Sequence, residues 1–414
     1  MRIAMFTDVF PRLSNTFILN QITGLLDRGH QVDIFARARG DFEHAHDEVA
    51  RYRLADRMRH IPIPQGRRER LTTAIRHLAH RSAWNRGTLN AFNPRLHRDE
   101  ALSLVQLYTA LSFMPQRRYD VVHCQFGKLG PTLLPLIAAR GYREPLVTSF
   151  RGADLTRLAT LHPGIYRELF RRGNLFLPVS ASFRERLIDL GCPAERIVVH
   201  HSGVMVERFP FAERRVAAGE QTRLLFIGRL TEKKGLVYAL EAVAEVLASG
   251  RRLELTVIGD GEQRAELHRH AQRLGIEESV VMAGRQTQAQ VICQLQRSHL
   301  LVAPSVTASD GDQEGIPNVL KEAMATGIPV LATRHSGIPE LVDHGVNGFL
   351  VPERDAGALA ERLAHLIDNS ESWPALGRAG RAKVEAEFDS GALNDELVRL
   401  YRGVGEAGTN TRAA

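Results

Sequence analysis

Short apolar runs alternate with amphipathic stretches along almost the whole chain. Residues 3–7 (IAMFT) form a continuous apolar run, and an apolar stripe at helical spacing covers about 16–28 after a loop over 8–17. Ser14 or Asn15 stands where a helix cap belongs, with Thr16 just inside. Gly29 and His30 end the stripe, and 32–36 is apolar again. Strand, loop, helix and strand in that order predict a βαβ unit and a parallel sheet. Further strands are expected at 120–124, 146–149, 175–179 and 197–200, with a helix carrying Leu133, Leu134, Leu136 and Ile137 between the first two. A second series begins near 223, with runs at 224–227, 253–258, 280–283, 300–303, 330–333 and 348–351 and helical stretches between them, the clearest at 236–247.

The pattern predicts two α/β, doubly wound domains, 1–204 and 205–385. Residues around 203–211 link them, and a helix over 386–402 is expected to return to the first domain. The small, polar stretch 403–414 is expected to be a disordered tail.

Composition narrows the class. With 414 residues and 44% apolar content, the chain is globular and large enough for two cores. Cys124, Cys192 and Cys293 are widely separated, which argues against a disulfide framework and fits a reducing compartment. No apolar run approaches membrane-spanning length, so a cytoplasmic location is expected. The formal charge of +7 suggests an anionic partner without naming it. Much of it gathers at 57–98, where ten arginines (57, 59, 67, 68, 70, 76, 81, 86, 95 and 98) meet a single acid, Glu69. Leu71, Ile75, Leu78 and Ala79 add an apolar stripe, followed by Trp84, Phe92 and Leu96. Such a region fits the anionic inner face of a membrane, or a solvated helical insertion. No nucleic-acid motif accompanies it.

The chemistry centres on 314–322, EGIPNVLKE. Pro317 suits the first turn of a helix, and Val319, Leu320, Ala323 and Met324 share its apolar face. Glu322 then projects off that face, and Glu314 precedes the helix. The amides near Gly315, Ile316 and Asn318 would point out of the helix N-terminus, favouring phosphate or hydroxyl oxygens. Two carboxylates and a row of donors suit a sugar attached to phosphate, although a solvated helix with two ordinary glutamates has the same spacing. Upstream, GRLTEKKG (228–235) places Arg229 and Lys234 between Gly228 and Gly235 at a helix start, a candidate pyrophosphate cradle. The glycines of GDG, Gly259 and Gly261, would allow close backbone approach to a ligand. His123, Arg151 and Asp154 fall near strand ends and would face one cleft, unless His123 is structural.

Taken together, GRLTEKKG, GDG, EGIPNVLKEAMATGIPVLAT and SGIPELVDHGVNGFLVP resemble the retaining nucleotide-sugar glycosyltransferases of family four, which have the GT-B fold: two Rossmann-like domains facing a central cleft. FPRLSNTFILNQITGLLDRGHQV resembles the exopolysaccharide branch of colanic-acid and amylovoran type. The resemblance implies that Arg229 and Lys234 bind the donor diphosphate and that Glu314 holds the donor sugar. The amides of Gly315, Ile316 and Asn318 assist, in a segment completed by Pro317 and Val319. Glu322 takes the ribose hydroxyls, Arg285 lies by the base, and Gly228, Gly259 and Gly261 shape the donor loops. Asn15, Thr16, His123, Arg151, Asp154 and Gly203 fall on the sugar or acceptor side. Many members carry histidine at Arg151, and SGVM (202–205) replaces the usual Asn-Gly-Val-Asp.

The implied reaction transfers a hexose, with a UDP-sugar favoured, to a lipid-linked saccharide. It proceeds with retention and without a cofactor or metal. Asp310 and Asp312 form a D-x-D, which holds metal in other sugar-transfer folds, but no histidine stands at a matching spacing and it is read as loop acidity. The alternatives are a nucleotide-sugar epimerase or hydrolase on the same scaffold, and a non-catalytic basic scaffold that binds membrane or nucleic acid.

Overall fold

The computed structural model describes residues 1–12, 15–43, 45–59, 63–64, 66–79, 104–114, 116–140, 144–217 and 219–410. The chain forms two compact units. One comprises Met1–Pro178, Arg184–His200 and Asn394–Ala414, the other Val179–Phe183 and His201–Leu393.

The first unit is built on a five-stranded sheet of β1 (Arg2–Phe10), β2 (Gln31–Arg39), β3 (Val121–Cys124), β4 (Leu146–Phe150) and β5 (Leu175–Pro178). All pairs are parallel, in the order β2-β1-β3-β4-β5. The strands are mostly apolar because helices cover both faces of such a sheet. Ile3, Met5, Ile34, Val121 and Val147 are buried with Ile18, Ile22 and Leu25 of the helix Thr16–Asp27. Two boundaries differ from expectation. β1 runs on to Phe10 because Val9 and Phe10 pair with Ala38 and Arg39 of β2, so the loop predicted from residue 8 begins later. Around 197–200 only Ile197 bridges, to Phe176, and no strand forms.

The second unit carries β6 (Thr222–Ile227), β7 (Leu253–Ile258), β8 (Val280–Gly284), β9 (Leu300–Ala303), β10 (Val330–Thr333) and β11 (Gly348–Val351). The sheet is again parallel, in the order β11-β10-β9-β6-β7-β8. The chain winds outward from β6 to β8, then returns to the other side of β6 with β9. The carboxyl ends of β6 and β9 therefore flank the topological switch point, where open α/β sheets bind ligands. The loop 228–235 leaves β6 there, and the loop 304–317 leaves β9.

The last helix, Ser390–Asn410, is longer than expected. Residues 403–410 continue it instead of forming a disordered tail, and 411–414 lie outside the described residues. Its later turns bury Leu397, Val398 and Tyr401 in the core of the first unit.

Candidate active site

Glu314 is the centre of the second unit's switch point. Its carboxylate lies 3.0 Å from Lys233 Nζ through one oxygen and 3.0 Å from Lys234 Nζ through the other. Lys233 also meets Asp312 at 3.0 Å. Burial disfavours the charge on Glu314, but Lys234 and Lys233 outweigh it and hold the carboxyl well below the ordinary range. Lys233 is buried, yet its ammonium is favoured by Glu314 and Asp312 against that desolvation. Lys233 had no role in the sequence reading. Its signal was the acid-x-acid pattern of Asp312 and Glu314, which only the packing of the two loops turns into a partner. Asp312 is paired with a lysine, and among the described residues no group of three or more histidine, cysteine, aspartate or glutamate side chains is placed to hold a metal ion.

The loops meet through close backbone contact. Gly235 has φ +64°, and a Cβ there would lie 1.9 Å from the Pro304 carbonyl oxygen. Val306 N–H donates to Lys233 O at 2.9 Å. Gly259 (φ +139°) and Gly261 were expected to admit a ligand, but the backbone they admit is that of the 228–230 loop. Added Cβ atoms would fall 1.8 Å from Gly228 O and 2.3 Å from Leu230 O. Arg229 is exposed, and Arg285 is exposed with its Nε 3.5 Å from Asp260.

Pro317 is the N-cap of the helix Asn318–Ala325, one position earlier than expected. The amides of Gly315, Ile316, Asn318 and Val319 find no acceptor among the described residues, as a helix N-terminus requires. Ile316 and Val319 turn their side chains into the core. Glu322 is half-buried, and its carboxylate makes no hydrogen bond or ion pair among the described residues. Burial raises its carboxyl to about 7, with Lys321 opposing the rise. Lys321 itself is fully buried and donates to Ser202 O at 2.5 Å and Asn318 Oδ1 at 3.0 Å.

Three assignments are corrected, two in the first unit and one in the second. His123 does not line a surface: it is fully buried, with Nδ1 2.5 Å from Tyr401 Oη and Nε2 2.8 Å from Ser149 Oγ. Burial holds its pKa well below the ordinary value. Asp154 is buried and accepts from the amides of Gly127 (2.7 Å), Arg151 (3.1 Å) and Gly152 (2.9 Å), so it shapes the loop after β4. Gly203 lies in the second unit, where a Cβ would meet Ser390 Cα at 2.6 Å, a packing requirement. Arg151 does stand at a strand end. Its guanidinium reaches Gln125 Oε1 (2.9 Å) and Gln21 Oε1 (3.3 Å) and lies 4.5 Å from the Phe17 ring centre. Burial pulls its pKa down to about 10. Asn15 and Thr16 start the helix that carries Gln21.

Of the arginine-rich region, 80–103 lies outside the described residues, and with it Arg81, Arg86, Arg95, Arg98, Trp84, Phe92 and Leu96. The helix Arg67–Leu78 exposes Leu71 (55%) and Ile75 (60%), so the expected stripe does not face the core. No helix among the described residues is long and apolar enough to cross a membrane.

Two parallel α/β units, with a carboxylate, two lysines and free amides at the second switch point, define the GT-B class of glycosyltransferase. Residues 14–208 match the family model Glycosyltransferase Family 4, and 208–383 match Glycosyl transferases group 1. The chain is 38% identical over 410 residues to a putative colanic acid biosynthesis glycosyltransferase of Salmonella typhimurium, covering 97% of this chain and all of that one. It is 36% identical over 406 residues to the amylovoran biosynthesis glycosyltransferase of Erwinia amylovora, covering 97% and 99%. Among solved structures, Anabaena HepE with UDP-glucose superposes with a TM-score of 0.72 at 19% identity, covering 97% of this chain and all of that one. The chain belongs to the family-four glycosyltransferases, and it is a glycosyltransferase rather than an epimerase, a hydrolase or an inert scaffold.

Proposed function

We propose that the protein is a retaining hexosyltransferase of exopolysaccharide assembly, taking its sugar from a UDP-sugar and passing it to a lipid-linked saccharide. The observation that carries this reading is Glu322, a half-buried carboxylate with no hydrogen bond or ion pair among the described residues, on the helix that follows Glu314. A carboxylate left unpaired at such cost suits a ligand that donates hydroxyls, as a ribose does. Glu314 holds the donor sugar near the reacting carbon. An arriving diphosphate draws Lys234 away from Glu314, while Lys233 stays and keeps the glutamate compensated. Lys234 and Arg229 then stabilise the charge developing on the leaving diphosphate, with the free amides of 315–319 beside it. With two cations there, no metal is required, and the leaving diphosphate takes the acceptor proton. Arg285 stands by the base.

The colanic-acid and amylovoran relatives support the exopolysaccharide acceptor, and the UDP-glucose bound by HepE supports the donor. Arg151, Asn15 and Thr16 belong to the acceptor side. The enzyme works in the cytoplasm against the inner membrane face, through Leu71, Ile75 and the arginines around them. Calorimetric titration with UDP and GDP in EDTA, on the wild type and on Lys234→Ala, tests the reading. Micromolar UDP binding that the variant loses supports it. A folded wild type that binds neither nucleotide refutes it.

A further inference from the structure

We propose that His335 is a positioning residue for Glu314, locked by Glu353 as the Nδ1–H tautomer of a neutral imidazole; this rests on the role given to Glu314 above. His335 follows β10 and is fully buried. Its Nε2 lies 3.1 Å from the backbone nitrogen of Glu314. A backbone N–H only donates, so Nε2 accepts and carries no proton. The ring proton then sits on Nδ1, which lies 2.7 Å from Glu353 Oε1 and donates to it. The imidazolium would set an Nε2–H against the Glu314 N–H, two donors face to face.

Glu353 is itself fixed. Its other oxygen accepts from Thr307 N–H at 2.8 Å, and Thr307 Oγ1 accepts from Gln313 Nε2 at 3.1 Å. The chain from Glu353 through His335 therefore ends on the backbone of the residue whose side chain the two lysines hold. Gly337, two residues on, donates to Gly315 O at 3.2 Å. Glu314 is thus clamped from behind through its main chain and from in front through its carboxylate. The tautomer at His335 is therefore set by Glu353, which takes the hydrogen bond at Nδ1 and leaves Nε2 to accept. A loop held only by the lysines would lose its register when one of them turns to the diphosphate. The histidine keeps the carboxylate in place at that moment, and small misplacements of a reacting group are costly.

The test begins with the wild-type full chain, labelled with 15N-histidine. His335 is assigned by the signal missing in His335→Gln, and two-bond correlations read its tautomer. An Nδ1-protonated pattern is expected; an Nε2-protonated or doubly protonated ring overturns the proposal. Steady-state kinetics follow. His335→Leu is expected to lower kcat about 100-fold with little change in the KM for donor. His335→Gln, whose Oε1 can accept the Glu314 N–H, is expected to recover at least a tenth of wild-type kcat. Equal losses in the two variants overturn the proposal. Glu314→Gln separates this from the reading beneath it: wild-type activity in that variant refutes the role of Glu314, while the tautomer result stands or falls alone.

Discussion

Replacing Glu322 by glutamine is expected to make the protein more stable and a poorer binder at once. The Glu322 carboxyl is raised from 4.5 to about 7 by burial, with only Lys321 opposing. A raised acid favours the native state when protonated. Its stabilising effect is complete below pH 4.5 and is lost as pH rises through about 7. Moving the pKa across that interval corresponds to about 3 kcal/mol. At pH 8 the wild type carries this destabilisation and Glu322→Gln does not, while at pH 4.5 the two are equal within experimental error. The assay is urea unfolding from pH 4.5 to 8, followed by the fluorescence of Trp373, buried in the core of the second unit, in a Trp84→Phe background. The difference between variants should grow with pH to about 3 kcal/mol. UDP affinity should fall in parallel, because the amide cannot replace a carboxylate accepting two ribose hydroxyls. A pH-independent difference, or one that grows toward acid, would refute the electrostatic argument. Gained stability with unchanged UDP affinity would remove Glu322 from the donor site.

Two further outcomes follow from the same packing. Lys233→Met should cost about 3–5 kcal/mol in urea denaturation at pH 7, because it removes the buried cation that the half-buried Asp312 and one oxygen of Glu314 share; in the wild type the Glu314 contribution is present above pH 4.5 and fades as pH falls through its depressed pKa. Leu71→Asp combined with Ile75→Asp should reduce co-sedimentation with vesicles containing anionic lipid at least tenfold and leave soluble UDP binding unchanged, since both side chains are exposed on the helix Arg67–Leu78.

The sequence by itself determined the parallel sheets and the donor segments. Runs such as 253–258 and 330–333 became β7 and β10 with their predicted bounds, because a sheet covered on both faces selects strands that are mostly apolar, with Glu254 and Thr256 the half-buried exceptions in β7. The stretch 314–322 was legible because its helical periodicity buries Val319, Leu320, Ala323 and Met324 and leaves the glutamates elsewhere. What the tertiary structure alone decided is which polar residue meets which. Strand order put the loops after β6 and β9 side by side, and only then did Lys233 acquire Asp312 and Glu314 as partners. His123 and Asp154 stood at strand ends like site residues, yet Tyr401, from far along the chain, and amides of the loops after β3 and β4 took up their hydrogen bonds. The glycines of GDG advertised close approach without saying to what, and the answer was the backbone at Gly228 and Leu230. His335 gave no local signal because its role depends on Glu353 and on an amide 21 residues earlier. Periodicity is a local property of the chain and survives in its sequence; the pairing of buried polar groups is a property of the packed loops.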